Sequence, residues 1–294
     1  MVAGLMIFFV ALAFFANFAT SYDVGPNYRN VSIGVTVNIT DAKPELLSVI
    51  IEDPVTLVAG STYPVACNAT VQDFKGFGNI VNVNATFYHE STTFNGPADN
   101  NTHYFNPDCT FVDGDGFQAN YTCVFDVYYY ANPDEWTCMV YAENDYGFTD
   151  NLSNTTTVNE LLALNVTPLI DYGDLAVEDT STPQEANVTN LGNSDINVSV
   201  YGYGDSPGDG LAMVCDIGDI AVDNQRFSLD ELGDFNIDYA SLAATPSLIA
   251  GLTLQQQTDP NQQVTNQTYW RLYVPPNPFG VCNGIIVFQA ESAN

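Results

Sequence analysis

Six cysteines are the residues of this chain best suited to covalent chemistry. No two of them form a Cys-x-x-Cys motif; they are Cys67, Cys109, Cys123, Cys138, Cys215 and Cys282. An even number without metal-ligand spacing is typical of structural disulfides in an oxidising compartment. Because many pairings of six cysteines are open, the strands around them must select the pairs.

The two histidines, His89 and His103, give no catalytic motif. His89 ends a predicted strand in FYHES, His103 lies in the polar stretch NNTHYF, and neither belongs to an HExxH sequence. The chain also lacks a GxSxG elbow and a glycine-rich phosphate loop. We therefore predict that the protein is not an enzyme, while a pair of carboxylates that hydrolyses sugars stays an open alternative.

Asparagines of Asn-x-Ser/Thr sequons are the candidate modification sites. There are twelve: Asn30, Asn38, Asn68, Asn84, Asn100, Asn120, Asn151, Asn154, Asn165, Asn187, Asn197 and Asn266. Such sequons mark the surface of an exported protein and predict N-linked glycans. The alternative is that strands rich in threonine and turns rich in asparagine produce part of this pattern.

The charge of the chain limits its partners. Five basic residues stand against 35 acidic ones, which gives a net charge of −30. Such a surface repels phosphate groups, so nucleic acid is excluded as a partner. Divalent cations and basic partners remain compatible, but simple solubility through repulsion of like charges is the favoured explanation of the acidity.

The N-terminus, residues 1–21, is a signal peptide or a retained hydrophobic helix. Its first sixteen residues are all non-polar, and a helix of that length spans about 24 Å, less than the roughly 30 Å of a hydrocarbon core. No basic residue precedes the apolar stretch, which departs from the usual secretory signal. A retained helix would serve as a filament core, as in pilins.

Residues 22–42 form an N-terminal strand or linker. Within NVSIGVTVNIT, residues 30–40, the apolar side chains alternate strictly with small or polar ones; they are Val31, Ile33, Val35, Val37 and Ile39. This period of two predicts a half-buried β-strand. It is either the first strand of its own domain or an assembly strand that completes a sheet in a neighbouring copy.

The rest of the chain predicts an all-β fold of two consecutive antiparallel β-sandwiches, over residues 43–158 and 159–294. Short apolar runs such as TYPVACNATV, NYTCVFDVYYY and EWTCMVYAEN recur with turn residues between them. The run Tyr128–Tyr130 suggests a sugar-binding surface, but in a strand the middle ring faces away from its neighbours. These tyrosines are therefore better read as the rim of a core.

The stretch EWTCMVYAENDYG resembles strand F and the following turn of immunoglobulin-like domains. That resemblance implies an inter-sheet disulfide between Cys67 and Cys138, which leaves Cys109 and Cys123 to join one hairpin around FVDGDGFQAN. Trp136 occupies the place of the corner tyrosine of such domains, and we expect only its packing role to be kept. In residues 159–294, Cys215 and Cys282 are the only cysteines and are predicted to pair.

The same resemblance places two acidic loops at one end of the first sandwich. They carry Asp73 in VQDFKGFG, and Asn144, Asp145 and Asp150 in ENDYGFTDN. Because calcium binds six to eight oxygens, these residues form a candidate calcium site. Their selection for turn geometry is the competing explanation.

The segments VACNATVQDFKG, WTCMVYAENDYG and EANVTNLGNSDINVSVYGYG together resemble the immunoglobulin-like or PKD-like modules of archaeal secreted cell-surface proteins. The resemblance implies an extracellular structural role, as a glycosylated envelope or filament subunit whose partners are copies of itself or other surface proteins. A monomeric adhesin that binds a glycan or another cell is the alternative, as is a pilin-like subunit with a retained helix.

Overall fold

The computed structural model describes residues 33–38 and 42–293. Contacts divide the chain into two units, Met1–Asp41 and Ala42–Asn294. The described residues form β-strands and two short 3-10 turns, and no helix among them is long and apolar enough to cross a membrane. The prediction of a signal peptide or helix over residues 1–21 lies outside the described residues.

Eight strands of the larger unit form the first sandwich. They are β1 (Glu45–Ile51), β2 (Thr62–Gln72), β3 (Ile80–His89), β4 (His103–Asn106), β5 (Thr110–Asp115), β6 (Gln118–Tyr128), β7 (Asp134–Asn144) and β8 (Thr149–Val158). One sheet has the order β1-β2-β6-β5 and the other β4-β3-β7-β8. This is the A-B-E-D and C′-C-F-G arrangement of immunoglobulin-like domains.

Alternating burial explains why these segments form a sandwich. In β7 every second side chain is buried, from Trp136 to Asn144, while the residues between them are more exposed. The buried rows of both sheets meet in one hydrophobic cluster around Phe87, Phe125 and Trp136. Such burial stabilises each large side chain by roughly 1.5–3 kcal/mol.

The disulfides of the first sandwich join the pairs that the resemblance implied. Cys67 and Cys138 link β2 to β7 across the core, and Cys109 is bonded to Cys123 in β6. The expected role of Trp136 was incomplete, because its indole Nε1 donates a hydrogen bond of 2.8 Å to the Asn132 carbonyl oxygen. An indole N–H thus replaces the hydroxyl of the corner tyrosine.

Eleven strands follow. They are β9 (Leu164–Val166), β10 (Gln184–Asn190), β11 (Ile196–Tyr203), β12 (Leu211–Ile217), β13 (Asp219–Ala221), β14 (Gln225–Ser228), β15 (Ala240–Ser241), β16 (Ser247–Leu254), β17 (Thr265–Leu272), β18 (Phe279–Asn283) and β19 (Ile285–Ser292). A sheet ordered β15-β14-β17-β10-β9 faces a sheet ordered β16-β11-β19, and a third sheet is ordered β13-β12-β18.

The second core lies between the five-stranded and three-stranded sheets. Its buried residues include Val198, Leu252 and Trp270. A smaller cluster around Ile220 lies beside the third sheet, where the Cys215–Cys282 disulfide joins β12 to β18. The second region is therefore also built from packed sheets, but they have unequal numbers of strands.

Hydrogen bonds hold the two cores together. Asn193 accepts a hydrogen bond from the Leu161 backbone and donates one to the Asn159 carbonyl, which fixes the connecting residues. The Tyr129 hydroxyl donates to the Gln257 side chain. The boundary between the two hydrophobic cores lies near residue 158, where the sequence predicted a domain boundary. Ala42–Asn294 nevertheless form one compact unit. The division into two independent domains therefore stays a prediction.

Candidate assembly surfaces

The predicted assembly strand is exposed where the structure describes it. Residues 33–38 belong to no strand, and Ile33, Val35 and Val37 are 84%, 92% and 77% exposed. Asn30, Val31 and Ile39 lie outside the described residues. Both interpretations of this strand, the first strand of its own domain and an assembly strand, stay predictions.

The acidic loops form a hydrogen-bonded cluster. The buried Asp73 carboxylate accepts hydrogen bonds from the Lys75 backbone and from the Asn144 amide, the latter at 3.2 Å. The same amide also donates to the Ala42 carbonyl oxygen at 3.0 Å. Asn144 therefore directs nitrogen, not oxygen, towards Asp73, which is the opposite of what a shared cation requires.

Asp150 has a separate set of partners. Its carboxylate forms an ion pair with Lys43 at 2.5 Å and accepts the Leu46 backbone N–H at 2.9 Å. Burial acts to raise the pKa of Asp150, but these hydrogen bonds outweigh it and the pKa is lowered. Asp145 is exposed, and residues 42–293 contain no group of three His, Cys, Asp or Glu side chains that could hold a metal. The calcium hypothesis thus gains no support.

The histidines and the tyrosine run have structural surroundings. His89 contacts the Pro133 carbonyl oxygen at 2.9 Å, and His103 contacts the Phe94 carbonyl oxygen at 3.2 Å. Tyr129 and Tyr130 are 5% and 1% exposed at the junction between the two cores. A pocket of about 300 Å³ lies beside them, but the rings themselves are mostly buried, as expected for the rim of a core.

The described sequons lie on the surface. None of their asparagines is buried, and all are exposed except Asn84, Asn100 and Asn197, which are half-buried. This placement is compatible with glycans on both sandwiches. Glycosylation itself stays a prediction.

One open sheet edge belongs to β5 in the first sandwich. All six of its side chains are exposed, and it is the last strand of its sheet. A pocket of about 420 Å³ lies between this edge and the beginning of β3, lined by Ile80, Val81, Phe111 and Tyr121 among others. Phe111 contacts Tyr121 with ring centroids 5.7 Å apart. The pocket combines these aromatic rings with polar residues such as Asn82, Asp108 and Thr110, a mixture that suits a side chain or a sugar.

The strand β19 forms a second open sheet edge, which was not predicted from the sequence. β19 pairs with β11 over its whole length, from Ile285 to Ser292, and is the last strand of its sheet. Ile286, Phe288 and Ala290 point to the second core but are only half-buried. The run IIVF in the sequence is the signal that could have identified this edge.

Comparisons with known proteins identify no relative. No family model and no curated protein matches the chain. Among solved structures, a chaperone–tip adhesion subunit complex of Csu pili from Acinetobacter baumannii is similar over 83% of this chain and 100% of that one, with 9% identity and a TM-score of 0.37. A carbohydrate-binding module of the β-sandwich superfamily matches over 86% of this chain and 98% of that one, with 10% identity and a TM-score of 0.26. At these values the likenesses establish neither family nor function.

Proposed function

We propose that this protein is an extracellular structural subunit, without enzymatic activity, which assembles by adding residues 30–40 to a sheet of another copy. The observation that carries the proposal is the exposure of Ile33, Val35 and Val37, which alternate along the chain and are unpaired in the described segment. A row of this kind is what β-strand addition buries, with backbone hydrogen bonds adding affinity.

The apolar row contributes a substantial part of the free energy that such a contact needs. Full burial of the three side chains is worth on the order of 5–9 kcal/mol, from which the ordering of the segment must be subtracted. Residues 30–40 contain no acidic or basic residue, in a chain of net charge −30. Copies of the chain can therefore meet through this segment without adding to their mutual repulsion.

Disulfides and sequons support an extracellular location. Three disulfides join all six cysteines, which fits an oxidising compartment. The described sequon asparagines lie on the surface, where glycans would be tolerated. The proposal thus describes a glycosylated cell-surface or filament protein, similar in architecture to archaeal secreted surface modules.

A monomeric adhesin is the second candidate. It is favoured by the pocket beside Phe111 and Tyr121, since aromatic rings offer flat apolar faces to sugars. In that case the N-terminal segment would serve as a linker, and the protein would bind a glycan without assembling.

Electron microscopy of two purified chains tests the proposal. One chain begins at residue 22 and the other at residue 42, where the compact unit starts. We expect ordered filaments from the longer chain only, because only it carries the apolar row. Dispersed particles from both chains would refute assembly through this segment and favour the adhesin.

A further inference from the structure

We propose that the outer edge of β19 is the acceptor for Ile33–Val37 of a second copy, so that the added strand becomes the fourth strand of the sheet β16-β11-β19. This inference rests on the proposed function, because it names the partner surface of the same assembly strand. It is drawn from the backbone pairing, the burial and the position of β19 in the molecule.

The backbone of β19 is open to a partner. Eight consecutive residues of β19 pair with Ile196–Tyr203 of β11, and no strand in residues 42–293 pairs with the other side. One residue, Gly284, separates β19 from β18, which is also the last strand of its sheet. An edge of this length presents a row of free N–H and C=O groups to another chain.

The inner row of β19 is incompletely covered. Ile286, Phe288 and Ala290 pack against the second core but are half-buried, although Phe288 contacts the fully buried Trp270 at a ring distance of 5.7 Å. In the facing sheet, Leu164 of the edge strand β9 is half-buried as well. The strands β9 and β19 contact each other, so both sheets end on this side of the core. A strand added beside β19 would extend this edge and cover its half-buried apolar residues.

The assembly strand matches the edge of β19 in length and in the alternation of its side chains. From residue 33 to residue 37 an extended chain spans about 13 Å, well within the length of β19. One face of such a strand carries Ile33, Val35 and Val37, and the other carries Gly34 and Thr36. The apolar face would cover the half-buried row, and the small polar face would be turned to solvent.

The contact with β19 joins two different surfaces, the assembly strand of one copy and a sheet edge of another. A heterologous contact of this kind builds an open filament when the rotation between copies does not close into a ring.

Paired substitutions in the full chain test the inference by sedimentation and electron microscopy. On the acceptor, Ile286→Lys places a charge in the half-buried row, and Ile285→Lys places it on the opposite, exposed face of the same strand as a control. On the donor, Val35→Lys is compared with Thr36→Lys. A thermal melt of each variant shows whether it is folded. Ala290→Lys serves as a second acceptor variant in case Ile286→Lys does not fold.

We expect Ile286→Lys, Ala290→Lys and Val35→Lys to abolish filaments, while both controls assemble as the unmodified chain does. If Val35→Lys abolishes assembly but the acceptor variants do not, β19 is not the acceptor and this inference is overturned. Loss of assembly in Phe111→Lys alone among the sheet variants would assign the acceptor to the β5 pocket. Filaments from Val35→Lys itself would refute the proposed function.

Discussion

The two core regions of Ala42–Asn294 differ in how completely their sheets cover the apolar residues between them. In the first, two four-stranded sheets enclose a cluster that includes the fully buried Trp136 and Phe87. In the second, five strands face three, and the inner row of β19 is half-buried. The contrast indicates that the first core is more completely enclosed than the second, whose edge at β9 and β19 leaves apolar side chains half-covered.

The largest expected effect compares the long-range disulfides of the two regions. Cys67–Cys138 and Cys215–Cys282 close loops of similar sequence separation, 71 and 67 residues, so loop entropy assigns about 4 kcal/mol to each. Only the first joins two sheets across a core, where both cysteines are fully buried. We therefore expect Cys67→Ala/Cys138→Ala to lower the free energy of unfolding more than Cys215→Ala/Cys282→Ala.

Denaturant titration of both double variants measures this difference. Equal losses would mean that loop closure alone sets the contribution of each bridge. A larger loss in the second region would contradict the view that its sheets are the less tightly closed of the two.

An intermediate effect is expected at the junction between the regions. The Asn101 amide donates hydrogen bonds of 2.9 Å to the carbonyl oxygens of Tyr130 and Gln257. Asn101→Ala removes this donor from both oxygens, of which that of Tyr130 still accepts from the Gln256 amide at 2.7 Å, and we expect a cost of about 1–3 kcal/mol for the Gln257 oxygen. We expect calorimetry to show one transition for the unmodified chain and two for Asn101→Ala, with the neighbouring Asn100→Ala as the control. A single transition in both variants would show that other contacts couple the regions.

The smallest effects compare one carboxylate of each region. Backbone N–H groups of Asp205 and Leu211, with those of Ser206 and Gly204, lower the pKa of Asp209 to about 2. Its folded pKa is below the unfolded value, so its stabilisation is present above about pH 4 and is lost as the pH falls towards 2. Asp209→Asn should therefore lower the melting temperature at pH 7 but not at pH 2.

The dependence of stability on salt concentration should distinguish Asp150 from Asp209. Asp150 has a lowered pKa partly through its ion pair with Lys43, whose ammonium group is largely exposed. Added salt screens such a pair, so the effect of Asp150→Asn on the melting temperature should shrink at high ionic strength. The effect of Asp209→Asn should change less, and an equal response of the two variants would contradict this assignment.

Several elements of the fold were predictable because their signals are local. Alternation in TYPVACNATV and EWTCMVYAEN predicted β2 and β7, and the resemblance to immunoglobulin-like domains implied the pairs that the first two disulfides join. The second region was less predictable. EANVTNLGNSDINVSVYGYG contains β10 and β11, which lie in different sheets, and no local signal shows that the turn between them crosses from one sheet to the other.

For the candidate surfaces, too, some features follow from the sequence and others only from the tertiary structure. The sequence by itself determined the all-β class, the acidic surface and the apolar alternation of residues 30–40, because composition and side-chain period are properties of neighbouring residues. Only the tertiary structure decided that Asn144 directs its amide nitrogen to Asp73, that Tyr129 lies at the junction and that β19 ends a sheet. Each of these depends on residues far apart in the chain, whose distance is set by sheet pairing and packing and not by local sequence.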